Sequence, residues 1–236
     1  MNGINVIIAN YKHEAYLPDA INGIRQNTMP FPVRILLFQD EPGFRVDEYE
    51  HSRLAIMAGT NYPIFTYHDN TNNGQSARFN QGILQSTLQS YKAEWIAFQG
   101  ADDISMPWRF SVCAQHAKNA DVIYTDAVQL SGQDKRLYIK SQPFDSETLK
   151  QRNFIVATTV MVRTEVAEHI LFDEDVKYGE DWLWYHKLYL AGARFKYIPV
   201  PTVYYRDYTS QINVRYGVDW AKMKHELIGR IHELYK

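Results

Sequence analysis

Cysteine is almost absent: Cys113 is the only one in 236 residues. No intrachain disulfide can form, and a reducing, cytoplasmic setting is the expectation. Cys113 falls inside a helical pattern, where a small core residue is the plainer reading than a nucleophile. The eight histidines show no HxxxH spacing and there is no CxxC, which argues against zinc. No apolar run approaches the length of a membrane span and no basic-then-apolar leader opens the chain, so a soluble protein is expected. Charge of one sign is not in excess either. With 25 Lys and Arg against 27 Asp and Glu, the balance argues against a broad nucleic-acid footprint and leaves room for a small basic patch. Repeats, low-complexity tracts and linkers are missing, and 45% hydrophobic residues suffice for one sizeable core. One domain, residues 1–236, follows.

What is present is most concentrated in AEWIAFQGADDISMPWRF, residues 93–110. The segment from Glu94 to Phe98 reads as a short buried strand, and Gly100 as the residue that permits the turn ending it. Asp102 and Asp103 then lie at the strand's carboxyl end, where open α/β sheets bind ligands. Adjacent carboxylates repel each other unless a cation lies beside them, and hard oxygen donors suit Mg²⁺ or Mn²⁺ bridging to a phosphate. Read alone, the same pair serves equally as caps of a helix starting near Ser105 and Pro107.

The N-terminus supplies a strand (Ile4 to Ala9), a polar turn (Asn10 to Glu14) and a helix with Leu17, Ala20, Ile21 and Ile24 on one face, which together form a βα unit. A second strand, VRILLFQD, ends at Asp40 before an EPG turn. Asn72, Asn73 and Gly74 precede a helix carrying Arg78 and Asn80. Around SGQDK the pattern suggests a hairpin. In the C-terminal half, GEDWLWYHKLYLAGA predicts a helix entered at Gly179 and stopped at Gly192, with Leu183, Leu188 and Tyr189 facing inward. Glu180 and Asp181 sit in its first turn, where acids favour the helix dipole whatever else they do.

The order and chemistry of these segments resemble the family 2 glycosyltransferases. The match runs through Ala9-Asn10-Tyr11-Lys12, Asp40 at the second strand's end, NNGQSARFNQG, Gly100-Ala101-Asp102-Asp103, and FDEDVKYGEDWLWYHKL; it covers roughly Ile4 to Ile212. It implies a GT-A fold: an α/β domain with one Rossmann-like mixed sheet flanked by helices. Residues 1–125 would form the nucleotide-sugar half and 126–236 the acceptor half, with the hairpin as the seam between them.

By the same resemblance the chain is an inverting, metal-assisted transferase taking a nucleotide diphosphosugar, a UDP-sugar first among them, to a carbohydrate, lipid-linked or other hydroxyl acceptor. Asp102 and Asp103 would hold Mn²⁺ or Mg²⁺. Ala9, Asn10, Tyr11, Glu14, Asp40, Asn73, Gly74, Arg78, Ala101, Asp102 and Arg206 would bind the donor, with Tyr11 bordering the base, Asp40 accepting from a base N–H, and Arg78 and Arg206 on the phosphates. Asp181 would be the general base and Glu180 its support. An exposed helical arginine is the other reading of Arg78, and a plain core or surface aromatic that of Tyr11. Three departures stand out: Gly100 where a first Asp is common, Gln39 for another acid, and Tyr208 for a His.

A nucleotidyltransferase and a non-catalytic sugar-nucleotide module remain as alternatives; the absence of a Gly-rich phosphate loop near the first strand counts against the former. From Val218 to Tyr235, Trp220, Met223, Leu227, Ile231 and Leu234 share a helical face. That face suits packing on the domain, a homodimer contact, or peripheral attachment to a membrane surface.

Overall fold

The structure is a computed structural model that describes residues 2–42, 62–131, 135–206 and 220–236. Its first strand, β1 (Ile4–Asn10), is apolar on both faces, as a strand covered on both sides must be. It pairs in parallel with β2 (Val33–Gln39) and with β4 (Trp95–Gly100), and β2 pairs in parallel with β3 (Ile64–His68). Helix α1 (Leu17–Arg25) joins β1 to β2, and α2 (Gln75–Gln85) joins β3 to β4.

Period-two alternation assigns the side chains to two cores. Val6, Ile8, Ile35, Leu37, Trp95 and Ala97 face α1 and the helix α3 (Arg109–His116). Ile7, Leu36, Phe38, Ile96 and Phe98 face the other way, toward Phe79 of α2 and the aromatic cluster around Trp184. Cys113 is fully buried in the first core, as a small core residue.

Beyond β4 the sheet becomes mixed, in the order β3-β2-β1-β4-β8-β6-β9-β5. Strand β5 (Ile104–Ser105) is antiparallel to β9 (Phe195–Arg206), and β6 (Val122–Ser131) runs parallel to β9. The expected hairpin is β6 with β7 (Lys135–Ile139), off the main path. Strand β8 (Met161–Arg163) inserts between β4 and β6, antiparallel to both. The remaining helices are α4 (Ser146–Gln151), α5 (Thr164–Ala167), α6 (Glu180–Leu190) and α7 (Trp220–Glu233).

Three local expectations are corrected. The helix after the acidic turn begins at Arg109 with Trp108 as its N-cap and no side-chain cap bond; β5 intervenes, so Asp102 and Asp103 are not its caps. Gly100 is not among the residues of positive φ, so it is not backbone conformation that calls for glycine there. Tyr189 is 36% exposed, one residue round the helix from the buried Leu188 and against the Phe144 ring, while Leu183 and Leu188 are buried as expected. On α7, Leu227 and Ile231 are buried and Leu234 is exposed. No helix among the described residues is long and apolar enough to cross a membrane.

Candidate functional site

The parallel strands end together. Asn10 lies opposite Gln39 and Ala9 opposite Gly100, so the segments that follow β1, β2 and β4 share one edge of the sheet. After β1 the chain turns sharply at Lys12, whose φ of 61° is left-handed, a costly conformation for a residue with a Cβ. Tyr11 stands half-buried at that turn with the Lys12 ammonium 5.0 Å from its ring centre. Asn10 is fully buried; its Nδ2 donates to Glu14 Oε1 at 2.9 Å and to Gln39 Oε1 at 2.6 Å. Asn10 and Glu14 therefore brace each other, with Gln39 filling the place expected of an acid.

Asp40 works mainly on its own protein. Its Oδ1 accepts from the Asn73 N–H at 2.8 Å and from Arg78 Nε at 2.7 Å, and its Oδ2 from the Gly74 N–H at 2.9 Å. Arg78 is 2% exposed and all five of its N–H groups are taken: the others reach both oxygens of Asp69, the Thr71 carbonyl and Gln81 Oε1. These bonds hold the Asp69 carboxyl well below the usual carboxylate range. Arg78 is thus not an exposed helical residue; with these bonds it folds the 69–74 loop onto the end of β2.

The acidic turn after β4 is built differently. Ala101 is buried, Asp102 half-buried and Asp103 only 3% exposed. Asp103 Oδ1 accepts from the Arg206 backbone N–H at 2.9 Å. Burial first, and then the Asp102 charge, push Asp103 up to about 7, against the bonds from Arg206 and Thr158. Burial also raises Asp102, with His13 and Arg206 opposing; His13 Nδ1 stands 3.7 Å from Asp102 Oδ2. The Arg206 guanidinium donates to the Asp102 carbonyl and to Asp19 Oδ2, both at 2.8 Å, and lies over the Tyr16 ring.

This donor set fits a divalent cation. Two hard carboxylates stand at a strand's carboxyl end with their charge incompletely balanced. Among the described residues no group of three or more His, Cys, Asp or Glu gathers to form a full protein cage. Two carboxylates suit a cation that shares its shell with phosphate oxygens and water, as Mg²⁺ does.

A second acidic site opens α6. Gly179 enters the helix in the left-handed conformation, φ 67°; a Cβ there would also run into Leu227 of α7. Asp181 Oδ1 accepts from the Trp182 N–H at 2.8 Å and Oδ2 from Asn153 Nδ2 at 3.0 Å. Burial pushes Asp181 up to about 6. Burial and then the Asp181 charge push Glu180 up to about 7.

Sequence reasoning missed the residues that join the two sites. Asn153 holds Asp181, and five residues on Thr158 accepts from the Gly100 N–H at 3.1 Å, beside the acidic turn. It also missed Gln99 and Arg109, buried behind the acidic turn. Their only signal was a polar residue inside an apolar strand and an arginine in a core-facing helix. Tyr208 lies outside the described residues.

Residues 5–183 match the sequence profile described as Glycosyl transferase family 2. That span includes every proposed site residue except Arg206. No curated protein matches the chain. Among solved structures, TarS residues 1–349 of S. aureus superimposes with a TM-score of 0.68 at 16% identity, over 98% of this chain and 70% of that one. The same protein in complex with UDP-GlcNAc gives 0.68 at 17%, over 88% and 59%. The mannosyltransferase PcManGT of Pyrobaculum calidifontis, in complex with GDP-Man and Mn²⁺, gives 0.59 at 12%, over 83% and 54%. GalNAc-T7 with UDP, GalNAc and Mn²⁺ gives 0.64 at 13%, over 88% and 44%. At such identities the likeness is one of fold.

Proposed function

Because the chain belongs to glycosyl transferase family 2 and has the GT-A fold, we propose that it moves a sugar from a nucleotide diphosphosugar to an acceptor hydroxyl with inversion, using Asp181 as general base. A UDP-sugar is the proposed donor, in keeping with the UDP and UDP-GlcNAc complexes among its structural neighbours. Acceptors of the carbohydrate, lipid-linked or other hydroxyl class fit. We treat residues 1–236 as one domain whose donor half gives way to the acceptor half within β6, where the register against β9 shifts at Asp126.

The observation that carries this reading is the pairing of sites across one short segment: Asn153 on Asp181 and Thr158 on the acidic turn. Asp181, pushed up to about 6, is mostly ionised at neutral pH yet basic enough to take a hydroxyl proton. Asn153 and the Trp182 N–H orient it. Glu180, pushed up to about 7, is partly protonated and supports it beside the acceptor. Tyr11 borders the base, while the 73–74 backbone, fixed by Asp40 and Arg78, shapes the donor cleft. Asp102 and Asp103 would hold Mn²⁺ or Mg²⁺, which when bound neutralises charge on the departing nucleotide diphosphate. Arg206, already against the Asp102 carbonyl, would add positive charge beside them.

The test is Asp181→Asn, which keeps the volume but cannot accept a proton. Turnover should fall about 10² to 10⁴-fold while calorimetric affinity for UDP holds. Near-wild-type turnover, or a product that keeps the donor's anomeric configuration, would refute the assignment.

A further inference from the structure

Glycine at position 100 has no conformational reason to be there, since its φ lies outside the positive range occupied by Gly3, Gly74, Gly179 and Gly192. The reason is room. A Cβ added at Gly100 would collide with the Asp103 carboxylate, 2.9 Å from its Cγ and 3.2 Å from Asp102 Oδ1. The carboxylate cannot step aside cheaply. Its Oδ1 is held by the Arg206 N–H at 2.9 Å. The Asp103 N–H closes the turn onto the Gly100 carbonyl at 3.2 Å, and its own carbonyl accepts from Gln99 Nε2 at 2.7 Å. Behind that, Arg109 Nη1 donates to Gln99 Oε1 at 2.8 Å and to Ser105 Oγ at 2.9 Å, and Nη2 donates to the Phe98 carbonyl at 2.8 Å.

We infer that Gly100 is a site-forming residue: the side chain it lacks lets the Asp103 carboxylate fold back over the end of β4 and stand with Asp102 as the second oxygen donor to a divalent cation. This deepens the proposed function and rests on its cation reading. The donor pair comes from adjacent residues, with the buried Gln99–Arg109 pair clamping the turn beneath it. An acid introduced at position 100 would therefore displace a ligand instead of adding one.

The experiment titrates Mn²⁺ into the UDP-loaded protein by calorimetry, and follows hydrogen exchange at the Arg206 amide in chelator. Gly100→Ala and Gly100→Asp should each bind Mn²⁺ at least about tenfold more weakly than wild type, and the Arg206 amide should exchange faster in Gly100→Ala. A folded Gly100→Ala with Mn²⁺ affinity within about twofold of wild type, or tighter binding in Gly100→Asp, overturns the inference alone. Wild-type UDP affinity that is equal in Mn²⁺ and in chelator overturns the cation reading and this inference with it. If Gly100→Ala does not fold, Gly100→Ala combined with Asp103→Gly should, because the added methyl then has room; failure of the pair overturns the steric argument.

Discussion

Arg78 uses every donor it has inside the protein, so its substitution should be felt in stability before it is felt in ligand binding. Removing it strands Asp40, which is 3% exposed, and a buried charge left without its partner costs about 3 kcal/mol. Urea unfolding of Arg78→Ala should show a loss of that order; intact stability with weakened UDP binding would instead return Arg78 to the phosphates. The sign with pH follows from Asp69. Its carboxyl is held low in the folded state, so the unfolded chain takes up the proton first and the contribution of this pair is present above about pH 4 and lost as pH falls. Asp181 gives the opposite kind of signal, in rate. As the proposed base, pushed up to about 6, it must be ionised, so turnover should climb through about pH 6 and level off above it, with that limb missing from what activity Asp181→Asn retains. Acids at the ends of patterned segments, such as Asp102 and Asp181, were legible in the sequence. Asn153 and Thr158 were not, because each is an ordinary polar residue until the fold sets it against a carboxylate.

Helix α6 carries a cost at its own start. Glu180 and Asp181, at about 7 and 6 in the folded state, lie above the usual carboxylate range, so between about pH 4 and 7 the folded protein binds more protons than the unfolded chain. Stability should therefore fall as pH rises through that window. His186, on the same helix, acts in the other direction. Burial lowers it to about 4, and acidification below about 6.5 favours the unfolded state, where it protonates freely. Glu180→Gln removes one source of the alkaline cost and should raise the melting temperature at pH 8 by roughly 2–4 °C while lowering turnover less than Asp181→Asn does; an unchanged melting temperature would mean that Glu180 is better solvated than its burial suggests. Gly179 and Gly192 made this helix readable, as apolar runs did β1, β2 and β4. Strands β5 and β8 were not readable. At two and three residues they have no period, and they exist because β9, β4 and β6 offer them partners far along the chain.

At the scale of the whole molecule, the order of β8, β6, β9 and β5 was the least legible part, because antiparallel insertion beside a parallel strand leaves no mark on local pattern. The C-terminal helix α7 was legible as amphipathic, and its buried Leu227 and Ile231 answer to α6 and α4. Leu227→Ala should cost about 3 kcal/mol and, since Leu227 faces Gly179, should also loosen the entry to α6. Faster amide exchange there would register that link, and unchanged exchange would break it. The segment from Asn153 to Thr158 has a further consequence. It is a gauge: five peptide steps between a bond to the proposed base and a bond to the acidic turn, which even fully stretched span no more than about 18 Å. Inserting one residue would shift one end by about 3 Å relative to the other, several times the roughly 1 Å misplacement that already costs about a hundredfold in rate. Lengthening the chain within 154–157 would thus move Asp181 relative to the acidic turn and should detune turnover in a way that a single insertion there would reveal.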